Sequence, residues 1–127
     1  MRILIAEDQI DNREILARRL ERKGHELHLA ENGAEAVEMA PRVMPELVLM
    51  DVSMPIMSGV EATRALKTNP ATSSIPVIVL TAHALPSVKA DCEDAGCDAF
   101  ATKPLDFPAL LVTIDQVMAR TGAAISV

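Results

Sequence analysis

Leu47-Val48-Leu49-Met50-Asp51-Val52-Ser53-Met54-Pro55 decides the fold: four apolar residues run without interruption into a carboxylate, and a turn follows. A run this short and this uniformly apolar suits a strand covered on both faces, as in the middle of a parallel sheet. Working outward, Ile3-Leu4-Ile5-Ala6 runs into Glu7-Asp8, Val77-Ile78-Val79-Leu80 into Thr81, and Asp98-Ala99-Phe100-Ala101 into Thr102-Lys103. In an open parallel sheet ligands bind beyond the carboxyl ends of the strands, so these terminal residues are expected in one crevice. Three acids, a hydroxyl and an amine then converge.

The spacing predicts strands near residues 2–7, 27–30, 46–51, 76–81 and 97–102, each followed by a helix. Alternation of this kind signals an α/β domain with a doubly wound, five-stranded parallel sheet and five helices. Glu26-Leu27-His28-Leu29 alternates polar with apolar residues and the fifth run is also mixed, so strands two and five read as the edges. The first helix, about 9–23, is expected to stop at Gly24, and the second to begin at Asn32 and end before Pro41. Ser58 is the cap expected for a helix from Gly59 to Lys67. Pro86 opens a fourth helix that closes at Gly96, and Asp106 caps the fifth. In that last helix Leu110, Leu111, Ile114, Val117 and Met118 form one stripe. One domain is expected over 1–121, with a short tail at 122–127.

A chain of 127 residues with a formal net charge of −6 lacks the clustered cations of a nucleic-acid surface. The longest stretch free of Asp, Glu, Lys and Arg, Thr68 to Val88, carries three prolines and is no membrane span. Met1 leads straight into a strand, leaving no room for a signal peptide, so a cytoplasmic location is expected. Cys92 and Cys97 have no companion ligands for zinc and read as small apolar residues, Cys92 in step with Val88 and Ala95.

Two carboxylates about 4 Å apart repel by roughly 4 kcal/mol at an effective dielectric of about 20, so Glu7, Asp8 and Asp51 together call for a cation. Mg²⁺ takes oxygen ligands and is commonly held by one or two carboxylates and phosphate oxygens. Asp8 and Asp51 fit as ligands, with Glu7 holding the ion directly or through water. A carboxylate beside such an ion can attack phosphorus and form an acyl phosphate, and Asp51 is the best-placed nucleophile. Lys103 and Thr81 would stabilise the charge on the transferring group.

Glu7-Asp8, Leu-Met-Asp-Val-Ser-Met-Pro at 49–55, Ser58-Gly59, Thr81-Ala82 and Lys103-Pro104 together resemble the response-regulator receiver domain of bacterial two-component signalling, over essentially Arg2 to Arg120. The resemblance implies a flavodoxin-like sheet of order 2-1-3-4-5 and a phosphoryl group received by Asp51 from a histidine kinase or phosphotransfer protein. It implies Mg²⁺ at Asp8, Asp51 and the backbone carbonyl of Ser53, with Glu7 assisting, and a cis peptide before Pro104. It further implies a switch in which Thr81 is drawn to the phosphate, Phe100 swings into the vacated space, and the surface of helix four, strand five and helix five changes. Phe100 departs from the more frequent Tyr of the family. Ser53 and His83 would flank the phosphate and influence hydrolysis, a solvated loop histidine being the alternative for His83.

The expectation is therefore a stand-alone phosphoacceptor, a signalling domain rather than an enzyme, that catalyses its own phosphorylation and dephosphorylation. It would work as a monomer or weak homodimer and signal to a downstream protein. The start of helix one, near Gln9, Ile10 and Asn12, is the kinase contact that the resemblance implies. A receiver-like module acting through contacts alone, or the receiver piece of a hybrid histidine kinase, are the alternatives. Phosphatases resembling the haloacid dehalogenases need a second Asp two places after the nucleophile at the end of strand one, but Gln9 and Ile10 follow Asp8 here.

Overall fold

Ile3, Ile5, Leu47, Leu49, Ile78 and Leu80 pack on one face of a sheet, and Leu4, Ala6, Val48, Met50, Val77 and Val79 on the other. This strict alternation comes from the two-residue period of a strand, and it gives the sheet an apolar surface on both sides. The computed structural model describes residues 1–82 and 85–120, so His83 and the tail at 122–127 lie outside the described residues. Its strands are β1 (Arg2–Ala6), β2 (Glu26–Ala30), β3 (Leu47–Asp51), β4 (Val77–Thr81) and β5 (Ala99–Thr102), all parallel, in the order β2-β1-β3-β4-β5.

The helices are α1 (Ile10–Glu21), α2 (Gly33–Val43), α3 (Gly59–Thr68), α4 (Pro86–Ala95) and α5 (Phe107–Arg120). Leu16, Ala17 and Leu20 of α1 and Leu110, Ile114 and Val117 of α5 cover one face; Ala36, Ala40, Ala62, Leu66 and Cys92 of α2, α3 and α4 cover the other. Burying a Leu or Ile side chain fully contributes about 1.5–3 kcal/mol. Most of the stability therefore lies in the sheet centre, which leaves its rim free to carry charges that oppose folding.

The expected caps are present. Asn32 Oδ1 accepts from the Glu35 amide at 2.8 Å, Ser58 Oγ from Glu61 at 3.2 Å and Asp106 Oδ1 from Ala109 at 3.2 Å. Gly24 and Gly96 adopt φ of 90° and 99°, closing the turns after α1 and α4. The first helix and the fifth strand are each trimmed by one or two residues at one or both ends, and the widest difference is in α2, which continues through Pro41 to Val43 instead of ending before it. Pro41 sits in the last turn with its ring exposed, so it forfeits one intrahelical bond, while buried Ala36 and Ala40 hold the helix on the sheet. Met44, left-handed at φ 50°, then ends the helix by donating its amide to the Ala40 carbonyl at 2.8 Å.

Candidate functional site

Ala6 lies opposite Met50, Asp51 opposite Leu80, and Thr81 opposite Thr102. Glu7 and Lys103 lie one residue beyond the ends of β1 and β5, so the parallel register sets Glu7 beside Asp51, the last residue of β3, and Lys103 past Thr81. Glu7, Asp51 and Thr81 are each at most 4% exposed, and Asp8 is half-buried. Glu7, Asp8 and Asp51 each offer a carboxylate oxygen within 4.8 Å of the others. Lys103 Nζ lies 2.7 Å from Glu7 Oε1 and 2.7 Å from Asp51 Oδ1.

Burial pushes the Asp51 carboxyl up to about 6, with Glu7 and Asp8 adding to the rise, and the hydrogen bond from Lys103 only partly opposes it. Desolvation outweighs the ion pair here. For Lys103, burial works against its charge, but the bonds it donates to Asp51 and Glu7 prevail and raise its pKa. The acids thus keep an electrostatic demand for cationic charge that one ammonium does not meet. Their hard oxygen donors, clustered at this separation, fit Mg²⁺.

The turn after β3 is built around two unusual positions. Gly59, the first residue of α3, donates its amide to the Val52 carbonyl at 2.9 Å, and a Cβ there would collide with the Asp51 carbonyl. Helix α3 can therefore begin directly against the strand end that carries Asp51. At Ile56, φ is 70° and the Met57 amide donates back to the Pro55 carbonyl at 2.7 Å, which makes a γ-turn of the strained kind. The Ile56 side chain is 82% exposed, while Met54 and Met57 pack onto the core.

Sequence-based expectations meet the structure unevenly. Glu7, Asp8, Asp51 and Lys103 are brought together. Thr81 is buried at the neighbouring strand end, its carbonyl accepting from the Lys103 amide at 2.7 Å. Ser53 lies exposed in the turn two residues after Asp51. Phe100 is half-buried on β5 and packs, with Val88, against the cluster that contains Cys92 of α4. The Lys103-Pro104 peptide is cis. Gln9, Ile10 and Asn12 are exposed around the start of α1.

Two features went unread in the sequence. Lys103 was expected to meet phosphate, and here it bridges two of the acids. Arg13 is only 8% exposed, and its guanidinium donates to the backbone carbonyl of Glu7 at 2.8 Å. The available signal was its register, because Arg13 falls in step with Leu16, Ala17 and Leu20 on the inner face of α1.

Residues 3–115 match the family model of the response regulator receiver domain. The chain belongs to this family. The receiver domain is 40% identical over 118 residues to the protein PilH of Pseudomonas aeruginosa, covering 93% of this chain and 98% of PilH. Its fold is similar to that of the chemotaxis protein CheY4 of Vibrio cholerae, with a TM-score of 0.87 and 28% identity, over 91% of this chain and 97% of that one. It also resembles the receiver domain of the sensor histidine kinase PA1611 of P. aeruginosa, solved with a magnesium ion coordinated in its active-site cleft. There the TM-score is 0.83 and the identity 29%, over 95% of this chain and 97% of that one. Receiver domains interact with histidine kinases or phosphotransfer proteins and with downstream targets. Among the described residues no helix is long and apolar enough to cross a membrane.

Proposed function

We propose that this receiver domain accepts a phosphoryl group on Asp51 from a phosphohistidine of a kinase or phosphotransfer protein, and that the reaction needs Mg²⁺. The observation that carries the reading is the Lys103 ammonium at 2.7 Å from both Asp51 and Glu7, beside the oxygen cluster completed by Asp8. Mg²⁺, when bound, supplies the divalent charge that neutralises the acids and the oxygens of the incoming group. Asp8, Asp51 and the Ser53 carbonyl would hold it, with Glu7 assisting.

The chain's own side chains then account for the rest. Asp51 presents a carboxylate oxygen to phosphorus, and a bond from that oxygen forms as the bond to the imidazole nitrogen of the donor breaks. Lys103 is already positioned by Glu7, so it can follow the developing charge without reorganising. Thr81 offers its hydroxyl from the adjacent strand end. In this reading the domain catalyses its own phosphorylation and later hydrolysis, and works in the cytoplasm.

The signal would leave through α4, β5 and α5. Contacts available to Thr81 only when phosphate is present would favour one of two arrangements, with Phe100 reporting the change to α4. Support comes from the placement of Phe100 on β5 against the cluster that includes Cys92 and Val88. Beryllofluoride with Mg²⁺ is expected to shift the amide resonances of Phe100 and α4; unchanged resonances there would remove the switch. The likeness to the PA1611 receiver supports a second origin, a receiver segment of a hybrid kinase, with the same chemistry.

Incubation with acetyl phosphate tests the reading. A phosphoryl group should appear by intact-mass measurement with Mg²⁺ and not with EDTA. Its absence in both would favour a module acting through contacts alone.

A further inference from the structure

We infer that Arg13 is a positioning residue for the metal-binding acids, an inference that rests on the phosphoacceptor reading and extends it to a residue on helix α1. Arg13 occupies the inner face of α1 with Leu16, Ala17 and Leu20, where an apolar side chain would ordinarily stand. Its Nη1 donates to the Glu7 carbonyl at 2.8 Å, and its Nη2 lies 3.8 Å from Oε1 of Glu31, whose side chain is 69% exposed.

Glu7 lies just past the last paired residue of β1, so its carbonyl has left the sheet ladder and needs another donor. The remaining groups of Glu7 are already held. Its amide donates to the Ala30 carbonyl at 3.1 Å, Oε2 accepts from the Gln9 amide at 3.3 Å, and Oε1 accepts from Lys103. Arg13 supplies the fourth tie. Because the Glu7 carbonyl and the Asp8 amide share one rigid peptide plane, holding that carbonyl sets the direction from which Asp8 presents its carboxylate. A planar guanidinium with several fixed donors suits this task better than a point charge.

Charge and position make opposite demands, and this separates the inference from a bland role in packing. A buried cation next to the acids repels Mg²⁺, so an electrostatic effect alone would make the site bind the ion more tightly once Arg13 is neutralised. Loss of positioning would weaken binding, and removal of groups that orient metal ligands typically costs about 10–100-fold in affinity.

Isothermal titration calorimetry with Mg²⁺ at neutral pH, on R13M and R13K shown to be folded by circular dichroism, decides the matter. R13M should bind about ten-fold more weakly than the unaltered chain, and R13K, which keeps the charge but loses the planar fork, about three-fold more weakly. Affinity equal to or tighter than that of the unaltered chain in either variant overturns the inference, and R13K decides alone if R13M does not fold. An unaltered chain that takes up no Mg²⁺ sinks the phosphoacceptor reading and this inference with it.

Discussion

Lys103 Nζ stands 2.7 Å from Asp51 Oδ1, although the two residues come from strand ends that are not neighbours in the sheet order. The ammonium reaches across the end of β4 and lies between Asp51 and Glu7. This bridge holds the chemistry in place and offsets part of the cost of burying two carboxylates together.

Removing the ammonium should expose that cost. Breaking a buried ion pair by deleting one partner typically costs about 3–5 kcal/mol, and partial exposure of Lys103 makes about 2–3 kcal/mol the expectation for K103M in urea unfolding. The double variant K103M/D51N should recover a large part of the loss. Independent, additive effects would contradict the bridge.

Asp51 also predicts a pH dependence. Its carboxyl is raised from 3.8 to about 6, so between these values the folded chain binds more protons than the unfolded one. Stability should therefore fall as pH rises from 4 to 6 and stay lower above it, by an amount on the order of 1–3 kcal/mol without metal. D51N should flatten that slope and be at least as stable as the unaltered chain in EDTA at neutral pH. Saturating Mg²⁺ should flatten it too, by favouring the charged carboxylate.

Gly59 allows α3 to start against the Asp51 carbonyl. In G59A the added methyl meets backbone rather than a flexible side chain, so the turn must move. A loss of about 1–3 kcal/mol is expected by thermal unfolding, as for overpacked sites. Labelling by acetyl phosphate should slow as well.

Ile56 makes the opposite prediction. A β-branched residue at φ 70° carries strain of roughly 1–2 kcal/mol, and its exposed side chain contributes little packing in return. I56G keeps the γ-turn with a residue that has no Cβ to clash at positive φ. It should raise the unfolding free energy by about 0.5–1 kcal/mol, the relief of strain exceeding the added chain entropy of glycine.

The architecture was legible in the sequence because strand-length apolar runs and capping residues act locally. Asn32, Ser58 and Asp106 cap as their types require, and the mixed polarity of β2 and β5 marks them as edges. Glu7, Asp8, Asp51 and Lys103 were legible as a site because they end runs of similar length. What escaped depends on which partner a side chain meets in the folded rim, or on backbone geometry. Register puts Arg13 on the inner face of α1 without naming the Glu7 carbonyl it meets, and nothing in the sequence indicates that Lys103 will bridge two acids or that Ile56 will take a positive φ. Pro41 misled because its rule concerns helix interiors, while a last turn held down by Ala36 and Ala40 tolerates the missing donor.

The central claim, that Asp51 bears the phosphoryl group, is tested most directly by reducing the acetyl phosphate-treated domain with borohydride and mapping its peptides. Reduction of an aspartyl phosphate leaves homoserine, which should appear at position 51 in the presence of Mg²⁺ and nowhere in the EDTA control. Homoserine at position 8 instead, or a phosphorylated chain with aspartate intact at 51, would contradict it.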